Sequence, residues 1–240
     1  EFNRVSWWCT SCQSVRTMLE GLAKMGSYTK IISSDSHVVE PPNLWEDRMD
    51  SKFGSKIPHL RRGDDEDPYD WWYYDNIKVG PTGAIAAAGK RFTNPQEIIQ
   101  AGVFENVRPG GFIPEEHIKD MDLDGVYGGL IYPSTGLPLF GMQNENLLRA
   151  VFAAYNDWLA EFCGAYPNRL KGVAEILLDD SVEEGIKELR RTTRKGLAGA
   201  MISSYPRVGE SYNHPMYEPF WAVSEELDVP ISLHVTTNRP

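Results

Sequence analysis

Asp35 and His37 stand two residues apart just after the apolar pair Ile31-Ile32, in the stretch Ser34-Asp35-Ser36-His37-Val38-Val39-Glu40-Pro41-Pro42-Asn43-Leu44-Trp45. In a strand, alternate side chains share a face, so this carboxylate and imidazole point the same way and can grip one cation. Pro41-Pro42 then forbids further strand or helix. A second short apolar run, Pro230-Ile231-Ser232-Leu233-His234, also ends in a histidine. One carboxylate with two imidazoles is a ligand set that zinc and related divalent ions accept. Glu40 reads either as support for that metal shell or as a solvated loop acid.

The elements that must carry these donors follow from the periodicity. Strands are predicted over residues 28–34, 126–132, 170–178, 196–203 and 229–235, and helices over 114–124, 144–166, 182–194 and 216–227. The helix over 144–166 puts Leu147, Leu148, Val151, Ala154, Tyr155, Trp158, Leu159 and Phe162 on one face. Strand and helix alternating at crossover lengths is the signature of a parallel sheet. Its natural closure is an α/β barrel of the TIM (β/α)8 type, with functional residues at the carboxyl ends of strands, where Asp35, His37 and His234 fall. Five βα units are legible against the roughly eight of a full barrel. Residues 38–111 form a long acidic, Pro/Gly-rich and aromatic insertion after strand one. Within it Trp71-Trp72-Tyr73-Tyr74 supplies four consecutive aromatics, read as a lid hairpin over the metal or as a hairpin packed on the barrel flank.

Four segments carry a family resemblance: DSHVVEPPNLW, MDLDGVYGGLIYPSTGLPLFG, AYNDWLAEFCGAYPNRLKGVAEILL and YEPFWAVSEELDVPISLH. In this order, from about Lys30 to His234, the chain resembles the amidohydrolase-2 family, the metal-dependent branch of the amidohydrolase superfamily that includes carboxymuconate-semialdehyde and resorcylate decarboxylases. The resemblance implies a divalent ion, most often zinc with manganese as the alternative, on Asp35, His37 and His234. It also implies an aspartate after strand eight and a catalytic histidine near strand six, neither with a counterpart before Pro240. The expectation is therefore a chain truncated after strand five. The implied activity is hydrolysis or non-oxidative decarboxylation of a small organic acid, aromatic or not, or an amide, and the alternative is a catalytically inactive fragment.

At the open face Trp45, Tyr132, Pro133, Phe140 and Tyr205 are placed to wall a planar or partly apolar acid, though core packing explains any one of them equally well. Arg207, after strand four, reads either as a two-pronged clamp on a substrate carboxylate or as an exposed loop arginine. His59, His117 and His214 read as surface or capping residues. No segment carries a nucleotide, flavin or pyridoxal signature, and Gly128-Gly129 lacks the spacing of a dinucleotide loop.

A formal charge of −10 with no basic stripe argues against a nucleic-acid partner, and no apolar run reaches the roughly 18–20 residues of a membrane span. Three cysteines make no disulfide framework, and the expected location is the cytoplasm. Cys9 and Cys12 form a lone CxxC without the context of a zinc or redox site. Residues 1–24 read as a non-native or disordered extension before a single domain over 25–240. The expected partner is a small-molecule substrate, and a homodimer is compatible with the aromatic insertion serving as a contact surface.

Overall fold

The computed structural model describes residues 30–82, 88–89, 102–179, 181–207 and 210–239. The expected extension over 1–24, with Cys9 and Cys12, lies outside them. Five strands, β1 (Ile31–His37), β5 (Val126–Tyr132), β6 (Leu170–Glu175), β7 (Gly199–Ile202) and β8 (Ile231–Leu233), form one sheet in the order β1-β5-β6-β7-β8. Every neighbouring pair is parallel, with His37 opposite Tyr132, Gly129 opposite Leu170, Val173 opposite Gly199 and Ala200 opposite Ile231. The sheet curls into the half-barrel expected of an incomplete TIM-type barrel. Helices α2 (Pro114–Leu123), α4 (Glu145–Gly164), α5 (Val182–Arg194) and α6 (Glu218–Leu227) precede β5, β6, β7 and β8 respectively.

Local chemistry accounts for where these helices begin and end. Asn144 accepts from Leu147 N and Ser181 from Glu184 N, each satisfying a free donor of the first turn. On α5, Glu183 and Glu184 sit in the first turn and Arg191 and Arg194 in the last, matching the helix dipole. Asp228, in the left-handed region at φ 54°, stops α6. The face of α4 bearing Leu148, Val151, Phe152, Tyr155 and Leu159 is fully enclosed, and with Ile131, Val173 and Met201 of the strands it forms the main core.

The first strand runs to His37 rather than ending at residue 34, so both predicted donors lie within it. Its pairing with β5 slips between Ser33 and Ser36, a bulge of the kind that re-aims side chains. The last strand is only three residues long, and His234 follows it directly.

The insertion is more ordered than its composition suggests. It contains α1 (Leu44–Arg48) and a separate antiparallel sheet of β2 (His59–Arg61), β3 (Trp71–Tyr74) and β4 (Ile77–Pro81). Asp75 and Asn76, at φ 45° and 60°, make the tight turn between β3 and β4. Alternation divides the aromatic run as expected. Trp71 and Tyr73 carry Lys78 and Arg61 over their rings, while Trp72 is buried edge-on against Trp45, centroids 5.4 Å apart. Trp45 Nε1 in turn donates to Val151 O of α4 at 3.1 Å, which seats this sheet on the flank of the half-barrel. No helix among the described residues is long and apolar enough to cross a membrane.

Candidate metal centre

The curl of the sheet brings together the carboxyl ends of β1 and β8, its two edge strands. One oxygen of Asp35 lies 3.3 Å from His37 Nε2 and 3.5 Å from His234 Nε2. One donor atom from each of the three residues falls within 4.8 Å of the other two. The imidazoles meet edge to face with centroids 5.3 Å apart. Asp35 is 63% exposed at its side chain and His234 only 14%, so the cluster opens to solvent on the carboxylate side.

Both rings are oriented as ligation of a metal through Nε2 needs. His37 Nδ1 lies 2.7 Å from Pro133 O, and His234 Nδ1 lies 2.8 Å from Val235 O. A carbonyl oxygen only accepts, so each Nδ1 donates there, and Nε2 is the ring nitrogen that each histidine turns toward Asp35. A backbone or carboxylate acceptor behind a ligating histidine is the usual arrangement around a bound metal. Donor types, ring orientation and spacing therefore fit a divalent ion.

The turn beyond β8 is built with some strain. Thr236, a β-branched residue, sits at φ 65° in the left-handed region. Thr237 Oγ1 donates to His234 O at 2.6 Å and accepts from Ser204 N at 2.9 Å. Arg239, enclosed like its partner Asp179, donates through Nε to Asp179 Oδ2 at 2.8 Å and through Nη1 to the carbonyls of Phe140 and Met142 at 2.5 Å each. These contacts stitch the segment after β8 to the segments after β5, β6 and β7.

The other predicted site residues are distributed unevenly. Tyr132 packs beside both imidazoles, at 5.5 Å from the His234 ring and 6.0 Å from the His37 ring, with its hydroxyl 2.8 Å from Ser232 Oγ. Tyr205 is 73% exposed. Trp45 and Phe140 are corrections: each has no exposed surface, the first bound to Val151 O and the second against Phe152 at 4.5 Å. An aromatic near the end of a strand serves the core or the mouth equally well in sequence, and here the core takes both. The Arg207 guanidinium is tied to Glu145 and to Gln143 O, with its side chain 30% exposed. Glu40 is no solvated loop acid; it is fully enclosed and accepts from the backbone N–H of Ser134, Thr135 and Gly136.

Sequence reasoning missed Pro133 and Val235 as the acceptors behind the histidines, since a main-chain carbonyl leaves no mark in side-chain types. It also missed the Asp179–Arg239 pair and Glu175, a fully enclosed acid at the end of β6. The one available signal for Glu175 was a lone charge inside the apolar run Val173-Ala174-Glu175-Ile176-Leu177-Leu178.

The described residues thus form a parallel α/β half-barrel with a carboxylate and two imidazoles gathered at the carboxyl ends of its strands. A family model described as amidohydrolase matches residues 106–240, more than half of the chain, and the chain belongs to that family. Among characterised relatives, the gamma-resorcylate decarboxylase of Rhodococcus jostii (strain RHA1) is 41% identical over 88 residues, covering 33% of this chain and 26% of that protein. The enzyme of the same name from Polaromonas sp. (strain JS666) is 34% identical over 103 residues, covering 40% of this chain and 30% of that protein. An amidohydrolase from Mycobacterium avium subsp. paratuberculosis K-10 has the same fold, with a TM-score of 0.68 at 18% identity over 88% of this chain and 60% of its own. The dihydroxybenzoic acid decarboxylase structure from Polaromonas sp. JS666, with bound manganese and the inhibitor 2-nitroresorcinol, aligns at a TM-score of 0.52 and 19% identity, over 86% of this chain and 49% of that one. The chain thus spans less than a third of the curated relatives it matches.

Proposed function

We propose that the chain carries the metal-binding half of an amidohydrolase-family enzyme that decarboxylates a hydroxylated aromatic acid without a redox cofactor. The observation that carries this reading is the convergence of the Nε2 atoms of His37 and His234 on one oxygen of Asp35. The relatives named gamma-resorcylate decarboxylase support the substrate class, and the manganese in the Polaromonas structure supports a divalent ion. When bound, such an ion, manganese or zinc, supplies Lewis acidity toward a substrate oxygen. The chain's own part is to hold and orient. Asp35, His37 and His234 would take the ion, Pro133 O and Val235 O fix the two rings, and Tyr132 forms an aromatic wall beside them.

The test is direct. The purified chain is loaded with Mn2+ or Zn2+ under chelator competition, and carbon dioxide release from hydroxybenzoates is measured beside hydrolysis of lactones and amides. One equivalent of metal is expected, with affinity at least 100-fold weaker in Asp35→Ala and His234→Ala, together with metal-dependent carbon dioxide release. Hydrolysis without carbon dioxide would move the protein to the hydrolytic side of the family. Metal affinity indifferent to both substitutions would end the metal-site reading.

A further inference from the structure

The main-chain segment 133–136, joining β5 to helix α3 (Gly136–Leu139), is gripped from beneath by two enclosed carboxyl groups. Glu40 accepts from Ser134 N at 3.1 Å, Thr135 N at 2.9 Å and Gly136 N at 2.9 Å. Glu175 presses on the same Gly136 from the end of β6, so closely that a Cβ there would lie 2.5 Å from its Oε1. Among the described residues, neither oxygen of Glu175 has a hydrogen-bond partner, and the enclosed Tyr155 hydroxyl of α4 has none either. The first residue of the segment, Pro133, is the one whose carbonyl orients His37.

We propose that Glu175 is a positioning residue for His37, acting through segment 133–136, which it shares with Glu40. The link to metal binding rests on the function proposed above, whereas the link to the His37 ring does not.

Two carboxyl groups this deeply enclosed do not both carry charge at neutral pH. Burial pushes Glu175 well above the ordinary carboxylate range, and the charge of Glu40 pushes it further. Burial also raises Glu40, but the backbone N–H donors of Thr135 and Gly136 oppose that, so Glu40 is the member that holds the single charge. Tyr155, raised by burial and by both acids, stays neutral beside them. On the helical side of β6, Glu175 borders a cavity of about 300 Å³ that Arg149, Lys187 and Arg191 also line. Those cations have other partners: Leu177 O and Ser181 O for Arg149, Glu184 for Lys187, and Glu188 and Asp157 for Arg191. Neutral Glu175 lets Glu40 keep its three donors. Ionised Glu175 would place a second charge against Gly136, loosen that grip and withdraw the Pro133 carbonyl from His37 Nδ1.

The experiment is a pH titration of metal-free, 15N-labelled protein, following the Gly136 amide and the His37 ring nitrogens. In the wild type both should move together in a step well above the ordinary carboxylate range and separate from protonation of the ring itself. Glu175→Gln, which keeps the shape without the ionisation, should abolish that step. Across the same pH range, Mn2+ affinity measured by chelator competition should fall at least 10-fold in the wild type relative to Glu175→Gln. A Gly136 step with unmoved His37 nitrogens would reduce Glu175 to a packing residue and overturn the proposal, as would a step that persists in Glu175→Gln. The wild-type titration decides the first point even if the variant does not fold. A shared step in a protein that binds no metal would support the positioning of His37 while overturning the metal-site reading.

Discussion

At the scale of single residues, the centre depends on groups that never touch a ligand. Glu40 meets three N–H donors with an acceptor-only carboxylate, and a glutamine there would turn a donating NH2 toward one of them. Glu40→Gln should therefore cost about 2 kcal/mol in urea denaturation. Because the segment it holds carries the acceptor for His37, metal affinity should also fall roughly 10- to 100-fold, as when an outer hydrogen-bond partner of a ligand is lost. An unchanged affinity would mean that Pro133 holds its place without Glu40. Glu175 behaves in the opposite sense. Its carboxyl is raised on folding, so the stability it contributes is complete below the ordinary carboxylate range and is lost as pH rises through the folded value. Denaturation midpoints of the wild type should fall relative to Glu175→Gln as pH rises from the ordinary carboxylate range through the raised folded value, and parallel curves would refute the linkage.

At the scale of elements, the crowding under α3 makes a sharp contrast between two glycines. A Cβ at Gly136 would meet Glu175 Oε1 at 2.5 Å and Pro133 Cβ at 2.8 Å, whereas one at Gly164, the last residue of α4, would meet nothing within 4 Å. Gly136→Ala should destabilise by about 1–3 kcal/mol through overpacking, and Gly164→Ala should stabilise by up to about 1 kcal/mol through helix propensity. Equal effects in thermal unfolding would contradict this packing. The same elements show what sequence can carry. Helix α5 matches its predicted 182–194 because a capping serine precedes it and Gly196, at φ 94°, follows. Strand β5 matches 126–132 because Gly125, at φ 71°, separates it from α2. The sheet β2-β3-β4 was not legible beyond its aromatic run, since its strands are short and β2 lies apart from β3 in the chain. The metal donors were legible because they sit two residues apart in one strand and just after another. Glu40's partners and Glu175 were not, because both depend on a segment that only the folded chain brings near. Trp45 and Phe140 were misplaced for the converse reason, as aromatic character does not say which side of a strand end will be enclosed.

At the scale of the whole molecule, the donors come from the two ends of the strand order, β1 and β8. Ile31 on β1 is 56% exposed and Leu233 on β8 is 60% exposed, so these edges have less apolar cover than the central strands, where Val173, Ala200 and Met201 are enclosed. Asp35, at 3.3 Å to His37 on its own strand and 3.5 Å to His234 beyond the opposite edge, joins them, together with the edge-to-face pair of His37 and His234. An ion shared by Asp35, His37 and His234 would then act as a clasp across the open side of the sheet, and its effect on folding would be global. At a free metal concentration of about 100 times Kd, binding to the folded state alone adds about 2.7 kcal/mol. The expected result is a rise in Tm on adding Mn2+ that chelator reverses and that His234→Ala abolishes. Hydrogen exchange should locate the gain, with amides of β1 and β8 slowing together and those of β6 and β7 changing little beyond the global shift. Protection confined to one edge would show that the ion is held by a single strand, and the sheet would then owe its curl to the core alone.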